Sequence, residues 1–167
     1  MKHLVVRGLV LAFASVWASP APAAENHFDV SQVIDKAAAE TILGEPVKSA
    51  TPRNLEGKDG YYSKCNYYAV NSRKTLILRV YQAAAGFDAQ KELEMVAENT
   101  GAMRAISGLG DKARISSGTQ AGLPSNVVML YVVKGNTLIT IGMGGLEDEL
   151  AAAEKTKSAA QKILAHL

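Results

Sequence analysis

The chain has 167 residues, with 18 Lys and Arg against 16 Asp and Glu, and 48% of its side chains are hydrophobic. That composition suits one folded domain and excludes the disordered and fibrous classes. One cysteine and three histidines exclude a disulfide scaffold and a Cys-rich metal centre, and leave little material for a His-built metal or proton-relay site.

Residues 1–23 read as a secretory signal peptide. Lys2, His3 and Arg7 form a basic head, Gly8 to Ala18 is uncharged and mostly apolar, and Ser19-Pro20-Ala21-Pro22-Ala23-Ala24 follows. The apolar run falls short of the roughly 20 residues a membrane span requires, and Ala21-Pro22-Ala23 supplies an A-x-A site. Cleavage is expected after Ala23, and no cysteine stands near the cut to take a lipid. The expected product is a periplasmic or secreted bacterial protein without a membrane anchor, residues 24–167 forming a single exported domain. Loss of Lys2 and Arg7 leaves basic and acidic groups equal in number. No basic stripe remains of the kind that neutralises phosphates, so nucleic acid and a polybasic membrane surface are set aside as partners.

The mature chain opens on a helix expected over 28–44. Asp29 suits the N-cap, Phe28 and Val33 a hydrophobic staple, and Val30, Val33, Ile34, Ala37, Ala38 and Ile42 an apolar stripe. Gly44 and Pro46 end it. A linker over 48–60 leads to strands over 61–70 and 74–81. In the second, Leu76, Leu78 and Val80 alternate with Thr75, Ile77, Arg79 and Tyr81, the pattern of a half-buried antiparallel strand. A helix over 88–100 follows, closed by Gly101. Strands are expected over 112–116, 126–134 and 136–143, the last two joined by a tight Gly135-Asn136 turn. The final helix, 147–166, starts with Glu147-Asp148-Glu149 and carries lysines further along, matching the helix dipole.

Leu43-Gly44-Glu45-Pro46-Val47-Lys48 resembles Leu109-Gly110-Asp111-Lys112-Ala113-Arg114, and Thr75-Leu76-Ile77 matches Thr137-Leu138-Ile139. These likenesses suggest two pseudo-repeated βββα halves after an N-terminal helix, with chance similarity among hairpins as the competing reading. Either way the expected fold class is α+β, an antiparallel sheet packed on one face by helices.

No catalytic residue can be named. Gly108-Leu109-Gly110-Asp111 lacks the third glycine of a dinucleotide fingerprint and precedes a strand, so it reads as a turn. Cys65 shares a strand face with Tyr61, Ser63 and Tyr67, and the mature histidines, His27 and His166, lie at the chain ends. A buried apolar thiol is the better reading, with a disulfide dimer through Cys65 as the minor one. Three consecutive acids, Glu147 to Glu149, point in different directions and suit a helix start better than a metal. No hydrolase motif is present, and neither metal nor cofactor is implied.

Tyrosine is the suggestive feature, with five of the six between residues 61 and 81. Tyr62 and Tyr68 share one face of the first hairpin strand, and Arg79 and Tyr81 share the polar face of the next. Those four are the candidate binding residues, since amphipathic rings suit recognition of a protein or small molecule; cross-strand packing is the plainer alternative. The function expected is a soluble, non-catalytic binding or accessory protein of unknown ligand. The alternatives are a small exported enzyme with its site near loops 48–60 and 116–126, and a structural subunit dimerising by its sheet edge.

A helix ending in Leu-Gly, the Cys65-Asn66-Tyr67 strand, Gly108-Leu109-Gly110-Asp111-Lys112-Ala113 before a strand, a hairpin and a last Ala-rich helix together resemble a group of uncharacterised exported bacterial domains. Many of these are lipoproteins or sensors, and their α+β architecture is similar to the PsbP-like group. In that group the strand cysteine commonly has a partner near the first helix, where this chain has Val30-Ser31, and the lipid-anchoring cysteine is also missing. The resemblance implies a binding or accessory role and supplies no catalytic residue.

Overall fold

A computed structural model describes residues 27–100, 103–118 and 127–167. The expected signal peptide, Gly101 and residues 119–126 of the second loop lie outside the described residues.

The N-terminal helix is two helices. α1 (Val30–Val33) is capped by Asp29, whose side chain accepts from the Ser31 N–H, and α2 (Lys36–Leu43) by Asp35, which accepts from the Ala38 N–H. Between them Ile34 leaves helical geometry at φ −113°, ψ 83°. Periodicity suggested one helix over 28–44, but Asp35 competes for a cap position, and the break turns Ile34 into the core, where its carbonyl accepts the Tyr67 hydroxyl at 2.5 Å. Gly44 ends α2 at φ 77°, as expected.

Seven strands follow: β1 (Arg53–Glu56), β2 (Gly60–Tyr68), β3 (Thr75–Ala83), β4 (Arg104–Ile106), β5 (Lys112–Ser117), β6 (Val128–Lys134) and β7 (Thr137–Gly144). They form one antiparallel sheet in the order β1-β2-β3-β7-β6-β5-β4. α3 (Ala89–Thr100) connects β3 to β4, and α4 (Glu149–Leu164) follows β7. The α+β class and antiparallel sheet are those read from the sequence. β1 and β4 are additions: β1 lies inside the expected 48–60 linker, and its four exposed residues carry no alternation that would mark a strand.

Helices cover both faces. α1, α2 and α4 pack on one, over Leu76, Leu78 and Val80 of β3 and their neighbours on β6 and β7. α3 packs on the other, placing Ala89 and Leu93 against Tyr81, Tyr131, Val133 and Leu138. The single helical layer expected from the sequence therefore holds for three helices, and α3 is the exception. Its cause is local: β6 is apolar on both faces, so Tyr131 and Val133 need a cover of their own.

The expected pseudo-repeat is not established, though one device recurs. Glu45, just after Gly44, accepts from Ser72 and pairs with Lys74 in the β2–β3 turn. Asp111, just after Gly110, accepts from the Gly135 N–H and pairs with Lys134 in the β6–β7 turn. A two-fold axis through the central β3–β7 pair would place both following helices on the same face, whereas α3 and α4 lie on opposite faces.

Candidate functional site

α3 packs chiefly on β3, β7 and β6, leaving its face of the sheet open over much of β1 and β2. Register fixes what stands there. Arg53 is opposite Lys64, Lys64 opposite Arg79, Arg79 opposite Thr140 and Thr140 opposite Tyr131. Directly opposed residues of antiparallel strands point to the same face, so all five lie on the α3 side. The adjacent row on that face runs Leu55, Tyr62, Tyr81, Leu138.

Between them the rows form two hollows that meet. One, of about 580 Å³, lies over β1 and β2 and is lined by Pro52, Arg53, Leu55, Tyr62 and Lys64. The other, of about 310 Å³, lies beside α3 and is lined by Arg79, Tyr81, Glu92, Val96, Met129 and Tyr131 among others. Tyr62 and Lys64 line both. The result is a trough crossing five strands from Leu55 to Tyr131, about 19 Å at ~4.8 Å per strand.

The floor is rigid. The rings of Tyr62 and Tyr81 stack with centroids 4.7 Å apart and planes 23° from parallel. Asp59, in the β1–β2 turn, holds both hydroxyls: its carboxylate accepts from Tyr62 and its backbone carbonyl accepts from Tyr81 at 2.7 Å. Burial first, and then the Asp59 carboxylate, push both phenols above their ordinary value. These rings stay neutral across the physiological range and act as surface and hydrogen-bonding groups, not as bases. Burial also raises Tyr131, with the nearby Arg79 cation working against it.

Each wall has its own support. The Ala89 N–H donates to Asn136 Oδ1 at 3.1 Å, pinning the start of α3 to the β6–β7 turn. Glu94 reaches both Lys112 and Arg114 on β5, fixing the rest of α3 across the sheet. On the far side a polar chain, buried at Ser63 and exposed at Asn54, ties β1 down. The Val30 N–H donates to Ser63 Oγ at 2.9 Å, Ser63 donates to Asn54 Oδ1 at 2.8 Å, and Asn54 donates to Asp29 Oδ2 at 2.9 Å. Arg53 and Leu55 flank Asn54 and owe their position to this chain.

Of the four residues read from the sequence, the fold brings Tyr62, Arg79 and Tyr81 together. Tyr81 is only 8% exposed, so it is floor, not surface. Tyr68 shares the face but stands six residues along β2 from Tyr62, about 20 Å away. Lys64 follows from the alternation that placed Tyr62 and was not singled out. Arg53 and Leu55 were hidden in an expected linker, and Tyr131 on an expected strand whose faces were not assigned.

The other motifs are structural. Cys65 is 1% exposed on the opposite face, and burial pushes its thiol up. Asp148 caps α4 by accepting from the Leu150 and Ala151 N–H groups, and Glu149 accepts from the Ser117 hydroxyl. Among the described residues no three His, Cys, Asp or Glu side chains gather as metal ligands, and no helix is long and apolar enough to cross a membrane. No family model, curated protein or solved structure matches this chain.

Proposed function

We propose that this chain is an exported binding or accessory protein that works without catalysis and holds an elongated ligand along the trough on the α3 face. The observation that carries the reading is the shared wall of Tyr62 and Lys64, which joins two hollows into one continuous surface. Its polar groups are arranged to recognise: two stacked phenols with raised pKa and both hydroxyls engaged, beside exposed cations. Export rests on the leader-like residues 1–23 and on the charge balance left once they are removed. The resemblance to exported PsbP-like domains points the same way.

The experiment is affinity capture from the exported fraction, using the mature chain from Ala24, with wild type beside Tyr62→Ala and Arg79→Ala variants. Wild type is expected to retain partners that both variants lose by about tenfold, since a central interface residue commonly carries ~1–2 kcal/mol or more. Amide-shift mapping with a captured partner should perturb β1, β2, β3 and the near side of α3. Equal retention by the variants, or shifts confined to the opposite face, refutes the reading.

A further inference from the structure

On β5 and β6 the strand cations are compensated, with Lys112 and Arg114 on Glu94, and Lys134 on Asp111. Across β1, β2 and β3 the pattern stops. Arg53, Lys64 and Arg79 are directly opposed on three adjacent strands, roughly 5 Å apart along the row. All three are exposed, and among the described residues none is in an ion pair. Like charges directly opposite on a sheet oppose folding, so the free protein carries a cost along this row. The acids facing the row are Glu92 of α3 and Asp59 of the turn. Glu92 makes no ion pair among the described residues, and Asp59 is engaged by Tyr62.

Resting on the binding reading above, we infer that the occupant of the trough is an acidic, extended segment of a partner polypeptide. Charge complementarity calls for an anion. The dimensions call for a chain, since about 19 Å matches roughly six residues at ~3.3 Å each. The company of the cations calls for polypeptide: Leu55, 66% exposed, and Met129 offer apolar contact beside Arg and Tyr, a mixture typical of protein interfaces. Single-stranded nucleic acid would use successive free rings to stack its bases. Here one face of Tyr62 is already taken by Tyr81, and Tyr68 stands about 20 Å along the strand. A segment with alternating acidic and apolar side chains would set carboxylates over Arg53, Lys64 and Arg79 and apolar groups against Leu55 and Tyr62.

The test uses a synthetic peptide of twelve alternating Glu and Leu residues, with a Lys-Leu peptide, oligothymidylate and dextran sulfate as comparisons. Wild type is expected to bind the Glu-Leu peptide and not the Lys-Leu one, with affinity falling about tenfold between roughly 0.05 and 0.3 M salt. Lys64→Glu should abolish binding yet raise the melting temperature by about 2–5 °C, because it turns two repulsive cross-strand pairs into attractive ones. Leu55→Ser, which leaves the charge unchanged, should weaken binding without moving the melting temperature by more than about 1 °C. No binding of the Glu-Leu peptide, equally tight binding of oligothymidylate or dextran sulfate, or a lower melting temperature for Lys64→Glu overturns the inference. If the peptide fails while captured partners still map to the trough, the binding face stands and only the acidic partner falls. If neither engages the trough, both fall.

Discussion

Tyr67 serves two neighbours with one side chain. Its ring, 2% exposed, fills the α4-side core, and its hydroxyl donates to the carbonyl of Ile34, 33 residues earlier. That carbonyl is freed by the break between α1 and α2, and without the hydroxyl it would be buried unpaired. Tyr67→Phe is therefore expected to cost about 1–3 kcal/mol in urea unfolding, more than a typical net hydrogen bond. A loss under about 0.3 kcal/mol would mean that water or a local shift satisfies Ile34 instead. Alternation along β2 places Cys65 and Tyr67 on one face and Tyr62 and Lys64 on the other, and that much is legible in sequence. The acceptor of the Tyr67 hydroxyl is not, because no local rule names a partner 33 residues away.

At the scale of elements, the N-terminal segment shows a cap overruling a stripe. Val30, Ile34 and Ile42 are buried as the apolar periodicity requires, yet Asp35 starts a second helix inside the pattern. Asp35→Ala removes the acceptor for the Ala38 N–H and is expected to lower stability by about 1 kcal/mol, read from the shift in urea midpoint. An unchanged midpoint would show that packing of Ile42 and Leu43 alone holds α2 in place. β1 marks the opposite failure of local signals. Its residues are all exposed, and it is a strand because β2 and the Asp29–Asn54–Ser63 chain hold it there. The trough wall built by Arg53 and Leu55 was invisible for that reason.

At the scale of the whole molecule, which carries a formal net charge of +2, the pH response follows from where the partners are. Hydrogen bonds hold several carboxylates below the ordinary range, among them Glu45, mainly through Lys74, Glu94, mainly through Lys112, and Asp111, mainly through the Gly135 N–H. A depressed folded-state value contributes stability that is present above the ordinary carboxylate range and lost as pH falls through the depressed values. Tyr62 and Tyr67 are raised, first by burial, and contribute stability that is complete below the ordinary phenol value of 10.0 and lost as pH rises beyond it. Urea midpoints should thus form a plateau between about pH 5 and pH 9 and fall on both sides. Glu94→Gln should flatten the acid limb, modestly and less so in high salt, since this pair is exposed. Midpoints that stay level down to about pH 3 would remove these carboxylates from the account.

Composition, alternation and turn chemistry determined the class of this protein: β2, β3, β5, β6, β7, α3 and α4 all follow from the sequence, as do the end of α2 at Gly44 and the Gly135-Asn136 turn. These are properties of short stretches, set by backbone sterics and by which side chains avoid water. The tertiary structure alone decided that Arg53, Lys64 and Arg79 share a row, that α3 crosses to the opposite face, and that the sheet stays open beside it. Each depends on strand register and on competition between distant surfaces for burial, and neither is written in any one segment.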